Sequence, residues 1–163
     1  YDKGPIAFRY PRGESDIETM PEKIEQLTLG KGYIAKEAMP IHNNDAVSIL
    51  SIGNCLKTCL FAAEILEKHH NIAVTVADMR FVKPLDVNLV KLLADQSSLI
   101  ITMEEASIGG FSTNVQNFLI SSGFLDDGKL KLRSIFIEDK VIEHATQEEQ
   151  RIICKLEAQN IVD

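Results

Sequence analysis

Arg9 and Arg12 stand on either side of Tyr10-Pro11 in the run Ala7-Phe8-Arg9-Tyr10-Pro11-Arg12-Gly13. A guanidinium is a planar fork of donors that grips phosphate or carboxylate through two parallel hydrogen bonds. Pro11 has no N–H for a sheet ladder and Gly13 permits a sharp turn, so a strand at Ile6-Ala7-Phe8 would stop here. Arg12 is then expected at the carboxyl end of that strand, where an anion grip is well placed. On this reading the chain opens on the last strand of another domain and is a fragment.

Three further groups carry chemical potential. The run Asp78-Met79-Arg80-Phe81-Val82-Lys83-Pro84-Leu85-Asp86 combines cations, an aromatic and a proline. Arg80 and Lys83 suit an anion, but the expectation is that Arg80 pairs with Asp78, Asp86 or a carboxylate of the next loop, Glu104-Glu105 being the obvious partner. Pro84 fits the first turn of a helix. Glu104-Glu105 are adjacent carboxylates, yet neighbours at a strand end point apart, which argues against joint acid–base chemistry. Ser107-Ile108-Gly109-Gly110 leads into a helix amino end and has the shape of a phosphate cradle. The plainer reading, a tight turn with close packing, is preferred.

The histidines and cysteines offer less. His69 and His70 close a helix, where cations suit the negative end of the dipole. His42 lies in a polar loop, and His144 precedes a helix start as a loop residue. Cys55 and Cys59 sit four apart on one helical face and read as packed core residues, not zinc ligands. No G-x-G-x-x-G, Walker A, serine–histidine–acid or metal-ligand spacing is present.

The elements that position these residues follow from periodicity. Residues 14–28 read as an acidic linker with one helical turn at Pro21–Gln26, and Tyr33-Ile34-Ala35 as a short antiparallel edge strand. The unbroken apolar run Ala46–Ile52 reads as a strand buried on both faces. Thereafter helix and strand alternate: Cys55–His70 helix, Ile72–Ala77 strand, Leu85–Ala94 helix, Leu99–Met103 strand, Phe111–Ser121 helix, Leu130–Ile137 strand. Thr146-Gln147-Glu148-Glu149 has the form of a capping box and starts a helix to about Leu156, with a final turn after it. The fold class expected is α/β: three layers around a mostly parallel five-stranded sheet with one antiparallel edge strand.

The totals bound the function. The 163 residues allow one full domain and a tail, and the net charge of −7 argues against a nucleic-acid surface. No apolar run approaches the roughly 20 residues a membrane helix needs. Three cysteines, an odd count, point to a reducing compartment.

Gly4-Pro5-Ile6-Ala7-Phe8-Arg9-Tyr10-Pro11-Arg12-Gly13, Leu29-Gly30-Lys31-Gly32, Asp78 to Asp86, and Glu104 to Phe111 occur in an order and spacing that resembles the carboxyl-terminal part of 1-deoxy-D-xylulose-5-phosphate synthase. The resemblance runs nearly end to end. It implies that residues 1–13 finish a pyrimidine-binding middle domain, that 14–40 are linker and edge strand, and that 41–163 form a transketolase-type carboxyl-terminal domain. It also implies condensation of pyruvate with D-glyceraldehyde 3-phosphate, with loss of carbon dioxide, on thiamine diphosphate and Mg2+. By the same resemblance Arg12 binds the substrate phosphate, and the residues that hold the cofactor and the metal belong to amino-terminal domains; Arg9, which alternation along an extended strand points another way, is read as structural. A homodimer in bacterial cytoplasm or plastid stroma, inactive without its amino-terminal portion, is the corresponding expectation.

Two departures stand against the pattern. Ile137-Glu138-Asp139-Lys140 replaces a leucine-proline-aspartate run, and His144-Ala145 replaces histidine-glycine. The competing readings are the carboxyl-terminal domain of a 2-oxo acid dehydrogenase beta subunit, which shares K-P-L-D and E-E…G-G but lacks R-Y-P-R-G, and a non-catalytic dimerisation or binding module.

Overall fold

The computed structural model describes residues 3–11, 22, 26–39 and 46–163. In chain order the elements are β1 (Tyr33–Lys36), β2 (Ala46–Ser51), a 3-10 turn (Gly53–Cys55), α1 (Leu56–His70), β3 (Ala73–Asp78), α2 (Val87–Gln96), β4 (Leu99–Ser107), α3 (Phe111–Ser121), β5 (Lys131–Ile137), α4 (Gln147–Ile153) and α5 (Ala158–Val162). The sheet order is β1-β3-β2-β4-β5. β2, β3, β4 and β5 run parallel, and β1 pairs antiparallel with β3 at one edge.

The apolar run of β2 explains its central place. Ile49 and Leu50 are wholly buried and point to opposite faces, each into its own core. On one face Ile49, Val74, Val76 and Met103 pack under α1 and α5. On the other Leu50, Ala77 and Ile100 pack under α2 and α3, with Phe111, Val115 and Leu119 of α3 inward. Each fully buried aliphatic side chain contributes about 1.5–3 kcal/mol relative to exposure. These two cores make the expected three layers.

Helix ends follow local chemistry. The Asp86 side chain accepts from the Leu89 N–H and starts α2. Thr146 and Glu149 exchange hydrogen bonds in a full capping box at α4, an arrangement of which the Ncap side chain alone is worth about 1 kcal/mol. α1 ends on Lys68, His69 and His70, with Asn71 left-handed at φ 56°, a conformation asparagine tolerates.

Residues 5–11 have no regular structure in this chain, and Ile6, Phe8 and Tyr10 are exposed; the strand expected at Ile6-Ala7-Phe8 would pair within another domain, which the described residues do not include. Two expectations need correction. Pro84 does not begin α2, which starts at Val87 because Asp86 is the residue that caps it; the Lys83–Pro84 bond is cis. The helix expected to reach about Leu156 stops sooner, α4 ending at Ile153; the final turn expected after it is α5, starting at Ala158, with Lys155 at φ 58° between them. The helical turn expected at Pro21–Gln26 and the Pro40–Asp45 loop lie largely outside the described residues.

Candidate functional site

The chain moves from β2 to β3 on one side and then crosses to β4 on the other. Strand order therefore reverses at β2, and the crevice outside the carboxyl ends of β2 and β4 is where an open α/β sheet places ligands. Gly53 and Asn54 rim it from β2, both exposed, and Glu104 to Gly110 from β4.

β4 is irregular here. Its pairing with β5 shifts between Met103 and Ser107, and such a bulge re-aims the side chains it carries. Glu104 is buried and turns to α3. Its carboxylate accepts from the N–H of Phe111 (2.8 Å), the N–H of Ser112 (2.8 Å) and the hydroxyl of Ser112 (2.6 Å). A Cβ at Gly110 would collide with that carboxylate, so glycine is required for the approach. The helix amino end that resembles a phosphate cradle is thus filled by the protein's own anion. The plainer reading of Ser107–Gly110 holds.

Glu105 points the other way. Its carboxylate lies 3.5 Å from the Arg151 guanidinium, which also donates to Thr58 Oγ1 (2.7 Å) and the Leu156 carbonyl (3.1 Å) and sits 3.4 Å from Glu157. Arg151 thereby joins the end of β4 to α1 and to the α4–α5 connection. From outside, Arg9 donates to the Glu105 carbonyl at 3.4 Å. Beneath them Cys55 is buried, and burial, with the nearby Glu105 carboxylate adding, pushes its thiol up to about 11. Burial raises Cys59 as well, and its thiol donates to Met103 Sδ at 3.5 Å. Both cysteines are packed residues, as expected, and poor nucleophiles.

The β3–α2 loop forms a separate cluster. Arg80, at φ 56°, pairs with Asp78 at 3.6 Å and lies 4.1 Å from the Tyr33 ring centroid. Its expected alternative partners are committed elsewhere: Glu104 to α3, Glu105 to Arg151. Asp86 accepts from the Gly32 N–H (3.2 Å) and Lys31 (3.3 Å), so the Leu29-Gly30-Lys31-Gly32 motif docks on this loop. A Cβ at Gly32 would come within 2.7 Å of the Asp78 carbonyl. His144 borders a shallow apolar hollow with Ala145, Glu149, Ile152 and Ile153.

Of the residues singled out in the sequence, Glu105 and Arg9 come together at the switch point, while Glu104 and the Asp78–Asp86 loop do not join them. Arg12 lies outside the described residues. Arg151 was missed. Its only sequence signal is a place in the last turn after a capping box, which says nothing about a partner in β4.

These features define the class: an α/β domain with its ligand end at the carboxyl edge of a parallel sheet. Residues 36–161 match the family described as transketolase, C-terminal domain, and the chain belongs to that family. Among solved structures it is similar to a chain described as "Split gene transketolase, inactive beta4 tetramer", at 27% identity and a TM-score of 0.71. The match covers 85% of this chain and 42% of that one, so this chain spans less than half of its neighbour's length.

Transketolase-type enzymes use thiamine diphosphate and a divalent metal. The described residues do not fit that pair. The α3 amino end, which has the donors for a diphosphate, is taken by Glu104, and among the described residues no three His, Cys, Asp or Glu side chains stand together as metal ligands. Among them, too, no helix is long and apolar enough to cross a membrane.

Proposed function

We propose that this chain is the carboxyl-terminal portion of a 1-deoxy-D-xylulose-5-phosphate synthase, which condenses pyruvate with D-glyceraldehyde 3-phosphate and releases carbon dioxide. Thiamine diphosphate and Mg2+ are held by the amino-terminal portion, in a homodimer. This chain's own contribution to binding is Arg12, which grips the phosphate of the aldehyde substrate. A phosphate dianion needs a bidentate, permanently charged partner, and arginine is that partner.

The observation supporting this reading is the position of R-Y-P-R-G ahead of a transketolase-type domain, with Arg9 of that motif touching the switch-point end of β4. A 2-oxo acid dehydrogenase subunit binds no phosphorylated acceptor and has no use for the second arginine. In the complete enzyme, Arg12→Ala should raise KM for D-glyceraldehyde 3-phosphate roughly 10- to 100-fold, corresponding to a charge-assisted hydrogen bond of about 1.5–3 kcal/mol. An unchanged KM would remove the phosphate assignment.

A second reading draws on the neighbour's description as a split-gene protein and an inactive tetramer. On it, this chain is a separate subunit that becomes active only when its complementing polypeptide is added. Turnover of pyruvate by the purified chain alone would contradict both readings.

A further inference from the structure

β1 is held differently from the strands inside the sheet. Tyr33 is exposed, Ile34, Ala35 and Lys36 are half-buried, and the pairing with β3 slips between Ile34 and Lys36. β2, by contrast, buries Val47 through Ser51 without a break. In place of burial β1 has two carboxylates, one at each end. Asp86, buried at the start of α2, accepts from the Gly32 N–H (3.2 Å) and from Lys31 Nζ (3.3 Å) on the entering side. Glu67 of α1, also buried, accepts from Lys36 Nζ (2.6 Å) and the Met39 N–H (3.2 Å) on the leaving side, and from the Val74 N–H of β3 (3.3 Å). Between them the Arg80 guanidinium lies over the Tyr33 ring, 4.1 Å from its centroid, where the ring quadrupole attracts a cation. Arg80 also has a left-handed backbone at φ 56°, a conformation a non-glycine residue keeps only when its surroundings hold it.

We propose that β1 is a strap that opens as one unit while the rest of the sheet stays folded. Asp86 and Glu67 are its two clasps, and Tyr33 couples its closure to the β3–α2 loop. A strand with few buried apolar contacts opens at a low local free energy, so its closure depends on the charge-assisted hydrogen bonds at its ends, which are stronger than neutral ones. Closed, the strap covers the edge of β3 beside Val76, Ala77 and Asp78, whose backbone groups would otherwise be open to pairing with another chain. It also keeps Arg80 against Tyr33 at the carboxyl edge of the sheet. Open, it releases the strand edge and the loop together. The segment through which the chain reaches the sheet thereby governs a loop at its carboxyl edge.

Native-state hydrogen exchange on the complete protein tests this, first without any substitution. Amides of residues 33–36 should exchange at least about 100-fold faster than those of β2 and β4, which open only with the whole domain. Exchange as slow as in β2 would overturn the proposal. Glu67→Gln and Asp86→Asn then weaken the clasps one at a time. Asparagine keeps an accepting oxygen for the Leu89 N–H at the start of α2, but it turns an amide donor towards Gly32 and loses the charge facing Lys31. Each variant should speed exchange about 5- to 10-fold throughout residues 33–36, including the end far from the substitution. A change confined to the nearer end would show that the strand does not open as a unit and would overturn the proposal. Arg151→Met supplies the opposite case, because its contacts survive opening of the strap. It should speed exchange in β2 and β4 and leave residues 33–36 unchanged; equal acceleration in both would mean that β1 opens only by global unfolding. The coupling is read at Phe81, whose N–H donates to the Met79 carbonyl. That amide should exchange faster in Glu67→Gln, and an unmoved rate would overturn the link between strap and loop.

Discussion

Glu104 and Glu105 are neighbours in β4, and they serve opposite ends of the same architecture. Glu104 is satisfied entirely within the domain, three donors of α3 converging on one buried carboxylate. Glu105 is a third exposed at its side chain, shares Arg151 with Glu157, and lends its carbonyl to Arg9. One carboxylate therefore closes a helix end that could otherwise bind an anion, and the other pairs with Arg151 at the far side of the same strand. The lesson is that a helix amino end beside a glycine pair is a ligand site only if the protein has not already supplied the anion.

The comparison breaks first at Glu104. Glu104→Ala leaves two N–H groups and a hydroxyl buried without an acceptor, which should cost about 3–4 kcal/mol in denaturant unfolding of the purified protein. A loss under about 1 kcal/mol would mean that α3 does not depend on this carboxylate. Next comes Arg151→Met. It removes a half-buried cation from Glu105, Glu157, Thr58 and the Leu156 carbonyl, with an expected loss of about 1–2 kcal/mol, since partly exposed pairs are screened by water. A loss as large as that of Glu104→Ala would erase the distinction between the two carboxylates.

The smallest expected effect comes from Glu67, a carboxylate far from the crevice. Burial pushes its carboxyl up, but hydrogen bonds from Lys36 (2.6 Å) and the N–H groups of Met39 and Val74 outweigh burial and leave it below its ordinary value of about 4.5. The folded state then holds fewer protons than the unfolded chain near that value. Glu67 stabilises above about pH 4.5 and its contribution fades as pH falls through the lower folded-state value. Asp78 has the opposite sign, its carboxyl raised by burial despite Arg80, so its contribution fades as pH rises. Glu67→Gln should cost about 1 kcal/mol at pH 7 and give a shallower loss of stability on acidification, measured as urea midpoints from pH 7 to pH 4.

Much of the fold was legible because its signals are local. The unbroken apolar run at β2, the 3.6-residue period of α1 and α3, and the T-x-x-E capping box each depend on residues within one or two turns. The stretch Ile6-Ala7-Phe8 shows where such signals stop: its composition suits a sheet, but strand pairing is not local, and among the described residues no strand lies beside it. The early end of α4, at Ile153 instead of about Leu156, was hidden for a related reason. Lys155 takes a left-handed conformation there, while buried Leu156 packs into the α1 side of the core.

The sequence by itself determined the class of fold, the order of its elements, the loops at the carboxyl edge and the motif that carries Arg12. Only the tertiary structure decided which charges meet. Arg80 went to Asp78 and Tyr33, Asp86 to the Gly32 segment, Glu104 to α3, and Glu105 to Arg151 and Arg9. The physical reason is range. Periodicity and caps act over a few residues of chain, whereas an ion pair or a long-range hydrogen bond depends on a few ångströms of space between residues that can be 46 or 96 positions apart.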